Sequence, residues 1–122
     1  MGSGTTLVEA KLLGRNAVGV DINPQSVLIS ETNLQFQCES NSKIYTRNGS
    51  ATDLNFIKDN RIDFVCTHPP YANIIKYSKG VDGDISLLNV EDFLNEMKKA
   101  AEESYRAVSY THLRAHETDQ YL

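Results

Sequence analysis

The chain has no tryptophan, only three prolines and two cysteines, and no apolar run longer than a few residues. Without such a run nothing can cross a membrane as a helix. Cys38 and Cys66 have neither the paired spacing of a zinc or redox site nor the density of a disulfide scaffold. Both are expected to be reduced and buried, and with no signal-peptide pattern at the amino end the chain reads as cytoplasmic. Cationic excess is missing too. Twelve Lys and Arg stand against sixteen Asp and Glu, for a net charge of −4. That balance argues against an extended polyanion-binding surface within these residues. Repeats, low-complexity runs and linkers are also absent, and 122 residues bound the chain to one small domain.

Because proline is scarce, the adjacent pair is informative. His68-Pro69-Pro70-Tyr71 directly follows the apolar run Ile62-Asp63-Phe64-Val65-Cys66-Thr67. That run has strand composition, and two residues without an N–H cannot continue a sheet ladder. Tyr71 becomes an aromatic plate on a rigid bracket at the carboxyl end of a strand, the edge where open α/β sheets bind ligands.

The second concentrated feature is Gly2-Ser3-Gly4-Thr5-Thr6 at the head of a helix over 5–13. Glycines let the backbone approach a ligand, and free N–H groups of the helix's first turn suit a negative or dipolar group. A phosphate loop needs a lysine after the last glycine, and here Thr5 follows. A dinucleotide fingerprint needs a third glycine, and Leu7 holds that position.

Further along, 17–22 reads as a short buried strand ended by Asn23-Pro24, and 25–37 as a second helix with Pro24 in its first turn. Residues 44–47 read as a strand, 54–60 as a short helix, 62–67 as a strand and 72–88 as a long loop. The segment 90–106 is the clearest helix. Asn89 caps it, and Val90, Phe93, Leu94, Met97 and Ala101 form one apolar stripe. Alternating helices and short apolar strands predict βαβ units and a parallel sheet.

Taken together, Gly2 through Thr6 and His68 through Tyr71 resemble the amino-methyltransferases, which use S-adenosylmethionine to methylate exocyclic nitrogens of DNA bases. The resemblance covers residues 2–106. It implies an α/β, Rossmann-like methyltransferase fold with a mostly parallel sheet, truncated here because the strand expected before the glycine turn and any base-recognition region lie outside the sequence. A segment so cut is expected to be inactive alone.

The resemblance also implies roles. Gly2, Ser3, Gly4, Thr5 and Thr6 would hold the cofactor. Asp21, seventeen residues after Gly4 at a strand end, would accept the ribose hydroxyls as in dinucleotide folds, and Ile22 would pack on the adenine. Relatives often read Gly-Asp-Ala-x-Asp-Leu in the third segment. Here Ser50 replaces the first acid, Ala51 follows, and Asp53 keeps the second. Asp53 serves equally as a cap for the helix at 54–60. His68 stands where the family has Asp, Asn or Ser. With the Pro69 carbonyl it would accept the N–H bonds of the target amine, and an imidazole can also take its proton. Pro70 stiffens the bracket, and Tyr71 would stack on a base flipped out of DNA. RNA or tRNA is the second choice of substrate, and a non-catalytic nucleotide-binding module the third reading.

Residues 108–118 resemble one reading frame of a transposase-type sequencing-library adapter, and 119–122 would continue it. The expected division is therefore 1–107 as partial catalytic domain and 108–122 as a non-native tail with few core contacts. His112 and His116 have the four-residue spacing of a zinc pair but no acid between them, and no metal is expected.

Overall fold

Two parallel strands joined by a helix form the centre of the molecule. The computed structural model describes residues 1–69 and 89–109. Its elements in order are α1 (Thr5–Leu12), β1 (Ala17–Asp21), α2 (Pro24–Asn33), β2 (Ile44–Asn48) and α3 (Val90–Ala107). β1 and β2 pair in register from Ala17 opposite Ile44 to Asp21 opposite Asn48, and both α1 and α2 pack on them. This is the α/β arrangement expected, in a sheet that has two strands among the described residues. The expected 72–88 loop and residues 110–122 lie outside the described residues.

Local chemistry explains the boundaries. At the end of α1, Gly14 adopts φ 69° and donates to the Lys11 carbonyl while Arg15 donates to Ala10. This 5→2, 6→1 pair is the Schellman ending, in which a left-handed residue satisfies the orphan carbonyls. Asn23 caps α2 through its side chain and the Gln25 N–H, with Pro24 in the first turn. α2 stops at Asn33 instead of Gln37. Lys11 reaches across from α1, donates to the carbonyls of Leu34 and Phe36 at 2.6 and 2.7 Å, and lies over the Phe36 ring. Those carbonyls face a cation instead of a further helical turn.

Leu7 and Val27 bury beneath the two helices. At Gly19 the packing is close: an added Cβ would lie 2.6 Å from a Leu7 methyl and would strike the Met1 sulfur. β1 therefore needs glycine at its centre for α1 to lie down on it.

The second half of the chain departs from expectation. Residues 54–60 form turns and no helix. Arg106 donates to the carbonyls of Leu54 and Ile57, and Glu103 accepts from the Leu54 N–H, so this backbone is satisfied by side chains of α3. Nor does 62–67 form a strand. Among the described residues its backbone meets a partner only at Ile62, in a single parallel bridge to Val108, and Phe64 and Cys66 are exposed. Strand composition yields a strand only where a neighbouring strand can complete the ladder. Cys38 is half-buried, so neither thiol is buried as expected, although both are free.

α3 is capped by Asn89, whose side chain accepts from the Asp92 N–H at 2.9 Å. Its apolar stripe is not a core face, because Val90 and Leu94 are 61% and 60% exposed. The helix is anchored at its carboxyl end, where Ala107 is buried and its carbonyl accepts from Arg61 and Ile62. Val108 and Ser109 share in that anchor, Val108 bridging to Ile62 and Ser109 donating to the Ile62 carbonyl.

The hydrogen bond from Arg106, with the Leu54 N–H and the nearby guanidinium charge, holds the Glu103 carboxyl below the ordinary carboxylate range. A depressed folded-state pKa contributes stability that is complete above the unfolded value, here 4.5, and is lost as pH falls through the folded value. Glu103→Gln is expected to flatten the acid limb of stability against pH below about pH 4.5 and leave its slope unchanged near neutrality. Urea denaturation at a series of pH values reads the difference.

Candidate functional site

The carboxyl ends of β1 and β2 bring the glycine turn, Asp21 and the 48–50 segment together. Gly2 and Gly4 have φ values of 57° and 80°, both in the left-handed region that favours glycine. Gly4 donates to the Met1 carbonyl at 3.1 Å, closing the turn, and accepts from Val8 to begin α1. No side chain caps this helix. Among the described residues the N–H groups of Ser3, Thr5 and Thr6 have no hydrogen-bond partner. Beside Gly2 the space is open, and an added Cβ would meet nothing within 4 Å.

Asp21 faces this turn. Its Oδ2 accepts from the Met1 ammonium at 2.8 Å and from the Gly2 N–H at 3.4 Å, and its Oδ1 accepts from Asn23 at 2.9 Å. Its spacing from Gly4, its place at a strand end and the family resemblance associate Asp21 with the glycines, and the fold makes them neighbours. The Asp21 carbonyl in turn accepts from Gly49 N–H at 3.0 Å and Asn48 Nδ2 at 2.9 Å, and Asn48 also donates to Ile22. Ile22 is half-buried here. Asn48 thus ties the two strand ends together, a role that no motif announced.

Ser50 follows directly, and its hydroxyl is engaged locally, 2.7 Å from the Thr52 hydroxyl and accepting from the Thr52 N–H. Ala51 is exposed. Asp53 is exposed and accepts from Asn55 at 3.3 Å, a turn contact in a segment that has no helix to cap.

Of the four residues expected to be catalytic, His68 and Pro69 lie among the described residues. His68 is exposed and Pro69 half-buried on the irregular stretch after Ile62, and the hydrogen bonds around Asp21 include neither. Pro70 and Tyr71 lie outside the described residues, as do His112 and His116. Among the described residues no group of three or more His, Cys, Asp or Glu could hold a metal ion, and no helix is long and apolar enough to cross a membrane. A separate open hollow of about 530 Å³, lined by Tyr45, Arg47, Phe56 and Arg61 among others, contains none of the predicted site residues that lie among the described ones.

Besides Asn48, two residues at the glycine turn escaped sequence reasoning. Ser30 is fully buried and donates to the Gly2 carbonyl at 3.2 Å, and Asn33, one turn on, donates to the Ser3 carbonyl at 2.9 Å. Their sequence signal was faint: two small polar residues three apart, in line with the buried Val27.

A family model, UPF0020, the RMKL-like methyltransferase domain, matches residues 1–119. A stretch of 35 residues, 29% of the chain, is 54% identical to the type II methyltransferase M.MjaII of Methanocaldococcus jannaschii. That stretch spans only 7% of the archaeal protein. No solved structure matches the chain.

A Cβ added at Gly4 would lie 2.7 Å from both the Ser30 Cβ and Oγ, at a φ that L-residues resist. Gly4→Ala is expected to destabilise by about 1–3 kcal/mol, through overpacking and backbone strain together. A drop of several degrees in the thermal midpoint of the full-length gene product checks this, and an unchanged midpoint would show the turn to be soft.

Proposed function

The chain belongs to the RMKL-like methyltransferase domain family, UPF0020, and from that premise we propose that it serves transfer of a methyl group from S-adenosylmethionine to an exocyclic amine of a DNA base, cytosine N4 or adenine N6. The observation that carries the cofactor half is the meeting of the Gly2–Gly4 turn with the Asp21 carboxylate at one strand end. The two hold opposite polarities side by side: unpartnered backbone donors and a carboxylate acceptor. S-adenosylmethionine presents the matching pair, an amino-acid carboxylate at one end and ribose hydroxyls towards the other. Gly2, Ser3, Gly4, Thr5 and Thr6 would hold the former and Asp21 the latter, with Ile22 beside the adenine. Ser50, Ala51 and Asp53 are the weaker members of the set, because Ser50 and Asp53 already serve local turns.

The cofactor supplies a methyl group made electrophilic by its bond to sulfonium. The chain's own task is to make a poor nucleophile competent. An exocyclic amine conjugates its lone pair into the ring. The Pro69 carbonyl and the His68 imidazole accept its two N–H bonds, localise the lone pair, and leave His68 placed to take the proton. Pro70 fixes the bracket, and Tyr71 stacks on the flipped base.

DNA is preferred over RNA because of the resemblance at His68 through Tyr71 and the similarity to a type II methyltransferase. A net charge of −4 puts most of the phosphate-gripping surface outside these residues.

Substitutions in the full-length gene product separate the roles. Asp21→Ala is expected to raise the dissociation constant for S-adenosylmethionine at least about 10-fold, by removing a charged acceptor. The single-turnover methylation rate at saturating cofactor should change little. His68→Ala should do the reverse, lowering that rate by roughly 100-fold, within the range for a positioned proton acceptor, with cofactor affinity kept. Parental single-turnover rates in His68→Ala would reduce the imidazole to a structural part.

A further inference from the structure

We infer that Ser30 and Asn33 on α2 are positioning residues that set the polarity of the cofactor turn and thereby select for a ligand carrying a carboxylate. The inference rests on the S-adenosylmethionine reading and concerns which part of that molecule these two side chains serve.

A backbone turn carries as many carbonyls as N–H groups, so a turn by itself has no preferred ligand charge. Here the carbonyls are removed from play one by one. The Met1 carbonyl accepts from Gly4, the Gly2 carbonyl from the Ser30 hydroxyl, the Ser3 carbonyl from the Asn33 amide and the Gly4 carbonyl from Val8. Two of these four acceptors are thus held by side chains from a different element, nearly thirty residues away in sequence. What remains unpartnered among the described residues is one-sided: the N–H groups of Ser3, Thr5, Thr6 and Leu7. Successive free amides with their carbonyls turned away form a concave donor surface for an anion.

Ser30 fits this role more closely than a filler would. Its side chain is fully buried and touches the space over Gly4, where only a residue without Cβ can sit. Alanine there would fill the volume equally well and hold no carbonyl. Asn33 is exposed, so its amide could satisfy itself with water, yet it turns inward to Ser3. Neither residue reaches Asp21, which the structure ties to Gly2, Asn23 and Met1 instead. The two ends of the ligand are therefore served by separate protein groups.

That separation gives a test that does not depend on turnover. S-adenosylhomocysteine carries the carboxylate, and 5′-methylthioadenosine keeps the nucleoside but lacks the amino-acid part. Binding of both is measured by calorimetry to the full-length gene product and to its Ser30→Ala and Asn33→Ala variants. Losing one carbonyl-holding hydrogen bond should weaken S-adenosylhomocysteine by about 3- to 10-fold in each variant. Affinity for 5′-methylthioadenosine should stay within about twofold of wild type, because no carboxylate is being held. Parallel loss of both ligands would overturn the inference, since a merely structural role weakens the whole site. So would wild-type affinity for S-adenosylhomocysteine in both variants. Wild-type protein that binds neither compound would defeat the cofactor reading itself. Should Ser30→Ala unfold, the exposed position of Asn33 keeps the second variant decisive.

Discussion

The approach of α2 to the glycine turn governs the geometry of this molecule. Gly4 comes so near Ser30 that no Cβ fits between them, and the hydroxyl of Ser30 closes the gap by binding the Gly2 carbonyl. For the helix to reach that point, β1 must be short and must lead directly into the Asn23-Pro24 cap. α1 must lie flat on Gly19, and Lys11 must halt α2 where it does. Each of these local features is modest in energy. Together they leave the turn one conformation, with its donors facing outward beside Asp21.

The molecule divides into two regions with different physics. Around the glycine turn, hydrogen bonds run between backbone and small side chains, and the apolar core of Leu7 and Val27 supports them. At the other end a single guanidinium organises the structure. Arg106 binds Glu103, Asp59 and two backbone carbonyls, and so joins α3 to the turns at 54–60 where no regular ladder exists. A charged hub can satisfy irregular backbone, but it holds fewer residues than a packed sheet does. The exposure of Phe64, Val90 and Leu94 follows from that difference.

The sequence was legible where local chemistry decides structure. The Gly14 stop, the Pro24 start and the Asn89 cap follow from residues at the boundary itself, and the parallel sheet follows from the alternation of helices with short apolar strands, the second of which runs one residue beyond the expected 44–47. The proximity of the glycine turn to Asp21 was legible too, because parallel βαβ geometry brings Gly4 and an acid seventeen residues on, at the next strand end, to the same edge. The sequence misled where structure depends on a distant partner. Residues 62–67 have the composition of a strand but only one bridged position, and 54–60 yield their helix to the side chains of α3. Ser30, Asn33 and Asn48 went unnoticed for a related reason. Small polar residues on a helix face or strand end mean nothing until the backbone carbonyl each one meets is known.

The central proposal is that the Gly2–Thr6 turn with Asp21 is the cofactor site. Nuclear magnetic resonance of the full-length gene product titrated with S-adenosylhomocysteine tests it most directly. The account predicts that the largest backbone amide shifts fall on residues 2–6, on Asp21 and Ile22, and on Gly49. Shifts confined instead to the hollow beside Tyr45, Arg47 and Arg61, with the glycine turn unmoved, would contradict it.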